Sequence, residues 1–482
     1  MDQNQLINCC INVMNNNQRE NNEKELLNSY NYSPGAMINL IVNLINTPNV
    51  NDSVLQFCCT FLKNIISNRI NSNVKDVWIM IDNQTRAIYK DTLFSQLGSD
   101  NFKIRSGISG CISAICCEEF KQNQWFEIIT TLNNIACNDD INFKLSALTT
   151  LKNISQDVIP GIIPQNYLGE ILFTVMKNSG SNIDLKVNLE ALGILGFLIQ
   201  SCKDFMQDDR KNLIIDVIMK ALSINNEEIH IESFKCIYEL CKCYYFELKD
   251  NVGQIINLAV MFIDSINKLP EDTKLLTLIL ECIICLSSTE VFLIEKNWNC
   301  NFYIKIFKNE IIHLCYKIFT LRQPDEYEDD YLPHHSASTL MENLVKICDY
   351  DVVELILGQI TELLQTNNNI SIDNALILFY CILDTRLPEN KVKLANMLTE
   401  SYNTIIGYIY NDNPSIKITT SKIIRKVAKK YFMFFNIQTQ DIHLDTILKV
   451  MDMNFKPIQM NALSALTELT KNFSLMMPTS KF

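Results

Sequence analysis

LSALTTLKNI at Leu145–Ile154 and LEALGILGFLI at Leu189–Ile199 decide the fold. Each is a short segment with an apolar helical stripe, and the two stand roughly forty residues apart, the spacing of HEAT or armadillo repeats. Moving outward, the same kind of segment recurs at Cys111–Cys117 (CISAICC), Phe61–Ile66 (FLKNII), Ser233–Tyr244 and Thr277–Leu286. It continues at Ser338–Cys348, Ala375–Leu383, Ser421–Phe432 and Asn461–Thr470. Each reads as the second helix of a helical hairpin that buries its stripe only by stacking on neighbouring hairpins. The expected fold is therefore all-α, a HEAT/armadillo-type α-solenoid of about ten to eleven helical hairpins. Solenoids of this kind present extended surfaces suited to extended partners rather than closed pockets suited to chemistry.

Composition sets the limits of function. A chain of 482 residues strains a single globular core, whereas a solenoid has no such ceiling because each repeat touches only the next. The apolar fraction of 48% supplies material for a continuous core. A formal charge of -12 argues against general nucleic-acid binding and for basic partners drawn in by the field. The start, MDQNQLINCC, has no basic stretch leading into an apolar run, so no secretory signal is read there. The longest apolar stretches, Leu275–Leu286 and Ala375–Leu383, are too short for a bilayer or carry Glu281, so no membrane insertion is expected.

The 18 cysteines sit inside apolar helical segments, several as adjacent pairs such as Cys58–Cys59 and Cys116–Cys117. Neighbours on one helix point apart and cannot bridge, so they read as small buried hydrophobes of a reducing compartment. Cys282 and Cys285 have CxxC spacing but lack the turn and second ligand pair of a zinc or redox site. His334 and His335, adjacent on a helix, are expected to face apart rather than share a metal. No Gly-rich phosphate loop, GxSxG elbow or HExxH motif is present, so no enzyme and no cofactor is predicted.

Asparagine clusters at Asn15–Asn17, Asn21–Asn22 and Asn367–Asn369 are read as loops or caps. Several hairpins share a polar turn residue, an aliphatic residue and a lysine ahead of the stripe, as at Asp140–Lys144, Asn182–Lys186 and Asn413–Lys417. The turn residue is expected to cap the second helix. Lys144, Lys186 and Lys417 would reach the next turn and form a charged ladder. The run Lys422, Arg425, Lys426, Lys429 and Lys430 is read as one solvated helix face. Five carboxylates in six residues, at Asp325, Glu326, Glu328, Asp329 and Asp330, repel one another and define a solvated insertion over 321–336.

A further set of residues carries a resemblance. Arg19-Glu20-x-x-Glu23-Lys24-Glu25-Leu26-Leu27 is followed by Gln56 and Leu62-Lys63-Asn64, then by Trp78-Ile79-Met80-Ile81-Asp82 with Arg86, Lys90 and Leu97-Gly98. Next come Cys111, Ile115, Cys117 and Glu119 with Asn123-Gln124-Trp125, and finally Ser155-Gln156-Asp157. Each string is weak alone. In this order and at these separations they resemble the N-terminal half of the importin-β (karyopherin-β) nuclear transport receptors. The resemblance divides the chain into N-terminal domain-like repeats at 1–100, HEAT repeats at 101–320, the acidic loop at 321–336 and further HEAT repeats at 337–482.

What the resemblance implies is transport without catalysis, between cytoplasm and nucleus through the pore. A Ran-type GTPase in its GTP state would bind the N-terminal repeats and release a basic cargo or an importin-α-like adaptor, and FG-repeat nucleoporins would bind the outer helices. Carried over by position, the GTPase contacts are Lys63, Asn64, Lys103, Arg105 and Asp157. The FG contacts are Leu172, Phe173, Met176, Leu213 and Ile214, each inserted phenylalanine burying about 1.5–3 kcal/mol of apolar contact. The acidic loop would serve both GTPase and adaptor. Two departures stand out. The family's adaptor site uses tryptophans beyond that loop, whereas here Trp78, Trp125 and Trp298 all lie upstream, and Tyr331, Ile424 and Ser464 occupy the expected positions. Tyrosine can stack on lysine or arginine and the other two cannot, which puts the adaptor site in doubt. The family also has roughly twice as many repeats, and the ending FSLMMPTSKF, without a polar capping helix, is one expected of a truncated solenoid. The other class of function compatible with the pattern is a HEAT scaffold of a cytosolic complex, indifferent to Ran.

Overall fold

A computed structural model of the chain describes all residues except 16–18, 71–73, 159–160, 202, 207–209, 269–272, 322–332, 367 and 477–482. Among the described residues there is no strand, and the helices pair into hairpins in chain order. The chain divides into two compact units, Met1–Glu239 and Leu240–Phe482.

In the first unit the hairpins are Gln3–Met14 with Arg19–Tyr32, Pro34–Ile45 with Asp52–Ile66, Asn83–Ser95 with Phe102–Lys121, and Glu127–Ala136 with Ile141–Asp157. Gln165–Lys177 with Leu185–Ser201 and Arg210–Leu222 with Glu227–Cys243 follow, the last helix running across the boundary at Glu239. In the second unit they are Val252–Asp264 with Lys274–Glu295, Lys308–Leu321 with Pro333–Cys348, Tyr350–Gln365 with Asn369–Ile382, Pro388–Gly407 with Pro414–Lys430, and Ile437–Met451 with Lys456–Met476. Every apolar segment singled out in the sequence falls on the second helix of a hairpin, with Tyr244, Leu383 and Tyr431–Phe432 lying just past the helix ends. These second helices stack on one another, Asp52–Ile66 on Phe102–Lys121 and that helix on Ile141–Asp157, so the core is a row of their buried stripes. Leu148, Leu151 and Ile154 in one helix and Leu192, Leu195 and Leu198 in the next are fully inaccessible. The N-terminal hairpin escaped the sequence pattern because RENNEKELLNSYNY over Arg19–Tyr32 buries only Asn22, Leu26 and Tyr30.

Polar residues set where helices begin. Asn51, Asn101, Asp140, Asn368, Asn413 and Asn436 each sit at an N-cap, and their side chains accept from backbone N–H groups of the first turn. Asp184 accepts likewise from the N–H groups of Lys186 and Val187. The asparagine clusters behave differently at Asn21 and Asn22, which lie inside a helix. Among the described residues the lysine ladder is not formed: neither Lys144, Lys186 nor Lys417 makes an ion pair with a neighbouring turn. The capping carboxylate or amide is already engaged by its own helix N-terminus. Ion pairs between repeats form further along the second helices instead. Buried amides add register: Asn343 donates to Ser287 Oγ at 3.0 Å, Asn374 to the Phe319 carbonyl at 2.8 Å and Asn461 to Ser421 Oγ at 2.9 Å.

Two expectations about apolar segments change. Lys274–Glu295, at 22 residues with a mean hydropathy of 2.0, is long and apolar enough to cross a membrane, contrary to the shorter stretch read from the sequence. Here it packs on Pro333–Cys348 with Leu276, Ile279, Leu280, Ile283 and Leu286 buried, and it carries the buried carboxyl of Glu290. Most cysteines are buried as expected, but Cys137 and Cys243 are exposed. The His334 and His335 rings do not face apart: their centroids lie 4.3 Å from each other.

Glu290 supplies a pH dependence. Its carboxylate accepts from Tyr245 Oη at 2.9 Å and from the Ile304 N–H at 3.3 Å, and no lysine or arginine among the described residues pairs with it. Burial pushes its pKa up from 4.5 to about 7, against the pull of these donors. The folded chain therefore holds this proton where the unfolded chain has lost it, so stability falls as pH rises from 4.5 through 7. The loss attributable to this one group is roughly 2–4 kcal/mol. Denaturant titrations at pH 5 and pH 8 are expected to show that difference in the native protein and to lose it in Glu290→Gln. An unchanged slope in that variant assigns the dependence elsewhere.

Candidate functional site

The motif strings that run from Trp78 to Trp125 converge on one carboxylate. Glu119, on Phe102–Lys121 and 2% exposed, accepts from Trp78 Nε1 at 2.8 Å and Arg86 Nη1 at 2.9 Å, and pairs with Lys90 Nζ at 3.1 Å. Lys90 also lies over the Trp125 ring, 4.3 Å from its centroid. Asp82 caps Asn83–Ser95, accepting from the Thr85 N–H at 2.9 Å, and so aims Arg86 and Lys90 at Glu119 from one helix face. Gly98 completes the motif. A Cβ there would sit 2.2 Å from the Phe143 ring of the next hairpin, so only glycine permits that packing. These residues form a structural joint between hairpins.

The surface beside this joint is different. Lys63 Nζ on Asp52–Ile66 lies 3.8 Å from Asp157 Oδ2 on Ile141–Asp157, and Ser113 Oγ on the intervening Phe102–Lys121 donates to the same oxygen at 3.1 Å. Three successive second helices thus contribute one residue each, Lys63 and Asp157 partly open to solvent and Ser113 buried beneath them. Lys152 and Glu190, 3.3 Å apart, repeat the arrangement on the following pair of second helices. Exposed pairs of this type add about 0–1 kcal/mol to stability, so a partner's charges can replace either member at little cost to the fold. Asn64 stands beside Lys63, partly exposed, with its carbonyl accepting from the Arg69 N–H.

Lys103 and Arg105 lie elsewhere, about 15 Å along the same helix from Ser113. Lys103 is exposed in the first turn. Arg105 is buried, and its guanidinium donates to the carbonyls of Ser99 at 2.6 Å and Asp100 at 2.9 Å. Its charge is spent on closing its own turn, which corrects its placement among free contact residues.

On the first helices, Phe173 is 56% exposed and Leu213 39% exposed, with Met176 partly exposed. Lys177 Nζ lies 4.6 Å from the Phe173 ring centroid. Leu172 and Ile214 are corrected: at 3% and 0% exposure they pack the helices and present nothing to solvent. Helical geometry explains the split, since adjacent residues are turned about 100° apart and one of each pair must face the core. Asp325, Glu326, Glu328, Asp329, Asp330 and Tyr331 lie outside the described residues.

In the second unit, the run at Lys422–Lys430 is not one solvated face. Lys422, Arg425 and Lys429 are exposed, but Lys426 is 8% exposed, 2.6 Å from Asp384 Oδ2, and its ammonium lies 3.5 Å from the Tyr380 ring centroid. Lys430 binds the other Asp384 oxygen. Burial alone would raise the Asp384 carboxyl; Lys426 and Lys430 reverse this and hold it below the usual range. Glu342, 3.7 Å from Lys426, is pushed up to about 7 by burial. Sequence reading named Glu119 and these lysines but missed their pairing for one reason: the partners stand about one repeat apart.

A row of stacked helical hairpins with inter-repeat ion pairs along its second helices defines a HEAT-repeat solenoid. Its likeness is to importin-β. No family model matches the chain. The importin subunit beta-1 of Arabidopsis thaliana is 23% identical over 187 residues, 38% of this chain and 21% of that one. That of Schizosaccharomyces pombe is 19% identical over 426 residues, 86% of this chain and 49% of that one. Yeast importin-β, Kap95p, superposes with a TM-score of 0.84 at 18% identity, covering 99% of this chain and 57% of that one. Kap95 in complex with Nup1 matches at a TM-score of 0.84, 17% identity, 98% of this chain and 56% of that one. Kap95p with RanGDP matches at 0.82 and 17%, over 98% of this chain and 55% of that one. The chain thus spans about half the length of the solved structures it matches.

Proposed function

We propose that the chain acts as a nuclear transport receptor of the importin-β family, carrying cargo between cytoplasm and nucleus without catalysis. The observation that supports this reading best is the partly exposed pair Lys63 and Asp157, braced from below by the buried Ser113 on the intervening second helix, in a chain whose fold is that of Kap95p. In this reading a Ran-type GTPase in its GTP state docks on Lys63, Asn64 and Asp157, with Lys103 at the edge of the contact. Its own charges exchange with the Lys63–Asp157 pair, so that little is lost in separating them. Phe173, Met176 and Leu213 offer weak, rapidly exchanging contacts to FG-repeat nucleoporins. Asp325, Glu326, Glu328, Asp329 and Asp330 attract a basic cargo segment or an importin-α-like adaptor, with Tyr331 stacking on it. GTPase and cargo binding then oppose each other by a coupling that is equal in both directions.

The test is release. The chain is loaded onto an immobilised basic peptide, and GTP-loaded Ran is expected to elute it while GDP-loaded Ran leaves it in place. Equal elution by both forms would return the chain to the class of nucleotide-indifferent scaffolds. The outer helices are checked separately on FG-repeat beads. Phe173→Ser with Leu213→Ser is expected to lower retention at least several-fold, each side chain being worth about 1.5–3 kcal/mol when covered. Unchanged retention removes these two residues from the FG contact.

A further inference from the structure

A small cavity in the second unit has no place in the transport reading. It encloses about 150 Å³ between the ends of Lys274–Glu295, Pro333–Cys348 and Pro414–Lys430 and the start of Pro388–Gly407. Its walls carry Lys346, Arg386, Lys391 and Lys430, with Val291 and Ile294 as an apolar side. Four cations against two carboxylates, Asp384 and Glu295, leave this small space with an excess of positive charge in a chain of net charge -12.

The acids on the wall do not offset that excess. Asp384 is already held by Lys426 and Lys430. Glu295, the other acid among the described lining residues, is exposed and makes no ion pair. Among the described residues Arg386 and Lys391 make no ion pair, and Lys346 has only the field of Glu342 one turn away on its own helix, although Lys346 and Lys391 are partly buried. Asp349 does not approach the cations: its oxygens accept from the Arg386 and Leu387 N–H groups and from Asn390 Nδ2, which fixes the turn that presents Arg386 and Lys391. The turn is therefore built rigidly by one buried acid while its cations are left free. Repulsion among the lysines is visible as well. Burial lowers the Lys430 pKa, and Lys426 and Lys346 lower it further, against the pull of Asp384.

We propose that this cavity binds the phosphate group of a small soluble phosphate compound, with Lys346, Arg386 and Lys391 as its ligating side chains and Lys430 as the floor. The volume admits one phosphate group and leaves the rest of the compound in solvent. A guanidinium fork beside two ammonium groups suits a tetrahedral dianion better than a carboxylate or chloride. Binding would neutralise like charges held together by the fold, and so would stabilise the second unit.

The experiment is isothermal titration of the full chain with inorganic phosphate, pyrophosphate and inositol hexakisphosphate, each against sodium chloride at matched ionic strength. Saturable binding is expected for inorganic phosphate, at least several-fold tighter for the two polyphosphates, and none for chloride. The variant Lys346→Gln/Arg386→Gln/Lys391→Gln is expected to weaken it at least 10-fold. Arg386→Gln alone, at an exposed position, is expected to weaken it several-fold and guards against misfolding of the triple variant. Lys429→Gln, exposed and off the cavity wall, is expected to change nothing. If inositol hexakisphosphate binds but inorganic phosphate and pyrophosphate do not, or if the Arg386 and triple variants bind as tightly as the native chain, the cavity is not a phosphate site. Equal loss with Lys429→Gln would likewise overturn it, since binding would then follow general surface charge. Failure here leaves the Ran-dependent release unaffected.

Discussion

Glu119→Ala is expected to cost the first unit about 3–5 kcal/mol, because it leaves two buried cations without a counter-charge. Arg86 and Lys90 are both largely enclosed, at 10% and 15% side-chain exposure, and Glu119 is their shared partner. Trp78 loses its indole acceptor at the same time. Arg86 has little else to fall back on, since Asn83 is the one other side chain it binds. Glu119→Gln keeps the shape and an acceptor for Trp78 but not the charge, so it is expected to fall between alanine and native. Trp78 and Trp125 stand at the joint, so the tryptophan emission of the unfolding chain reports on it directly. A shift of the urea midpoint for Glu119→Ala no larger than that for the exposed Glu20→Ala would show that the joint carries no such charge balance. Loss of the joint is also expected to loosen the helix that presents Ser113, linking stability to the proposed GTPase surface.

Asp384→Ala is expected to act as strongly on the second unit, again by about 3–5 kcal/mol. Lys426 is almost fully buried and would keep only Glu342, at 3.7 Å, and the Tyr380 ring. Glu342 has its pKa near 7 with Asp384 present, where a protonated carboxyl can hydrogen-bond to the neighbouring carboxylate and so raise its own pKa. Removing Asp384 removes that support and leaves Glu342 facing lysines only. Its pKa is then expected to fall, which partly restores the lost charge balance. The pairing therefore predicts that Asp384→Ala is least damaging above pH 7, where Glu342 is ionised, and most damaging near pH 5. Thermal unfolding of the variant at the two pH values reads the difference. An equal loss at both would separate Glu342 from the cluster.

Much of the fold was legible because a solenoid repeats its instructions. Leu145–Ile154 and Leu189–Ile199 state the apolar stripe of the second helix, and the polar residue ahead of each helix states where it starts. Arg19–Tyr32 was illegible because an end hairpin buries only one face and its composition is that of a solvated helix. The charge clusters were illegible for a different reason. Glu119 and Arg86 are 33 residues apart, Asp384 and Lys426 42 apart, and no local window contains both. A usable signal exists: opposite charges one repeat apart on successive second helices, as Lys152 and Glu190 also show. The motif strings told a mixed story. Trp78, Asp82, Arg86, Lys90, Gly98 and Glu119 are explained by packing, whereas Lys63 and Asp157 have no structural need strong enough to account for their pairing. Arg105, Leu172 and Ile214 were misplaced because sequence position alone does not say which way a side chain on a helix points.

In the proposed function the Lys63, Asn64 and Asp157 surface distinguishes the nucleotide states of a Ran-type GTPase. Its most direct measurement is the affinity of the 482-residue chain for Ran carrying a non-hydrolysable GTP analogue and for Ran carrying GDP, by biolayer interferometry, with native chain and Lys63→Glu/Asp157→Lys side by side. The native chain is expected to bind the GTP form at least 10-fold more tightly, and the charge-swapped variant to lose most of that preference. Equal affinity for the two forms, or a preference that survives the charge swap intact, would contradict it.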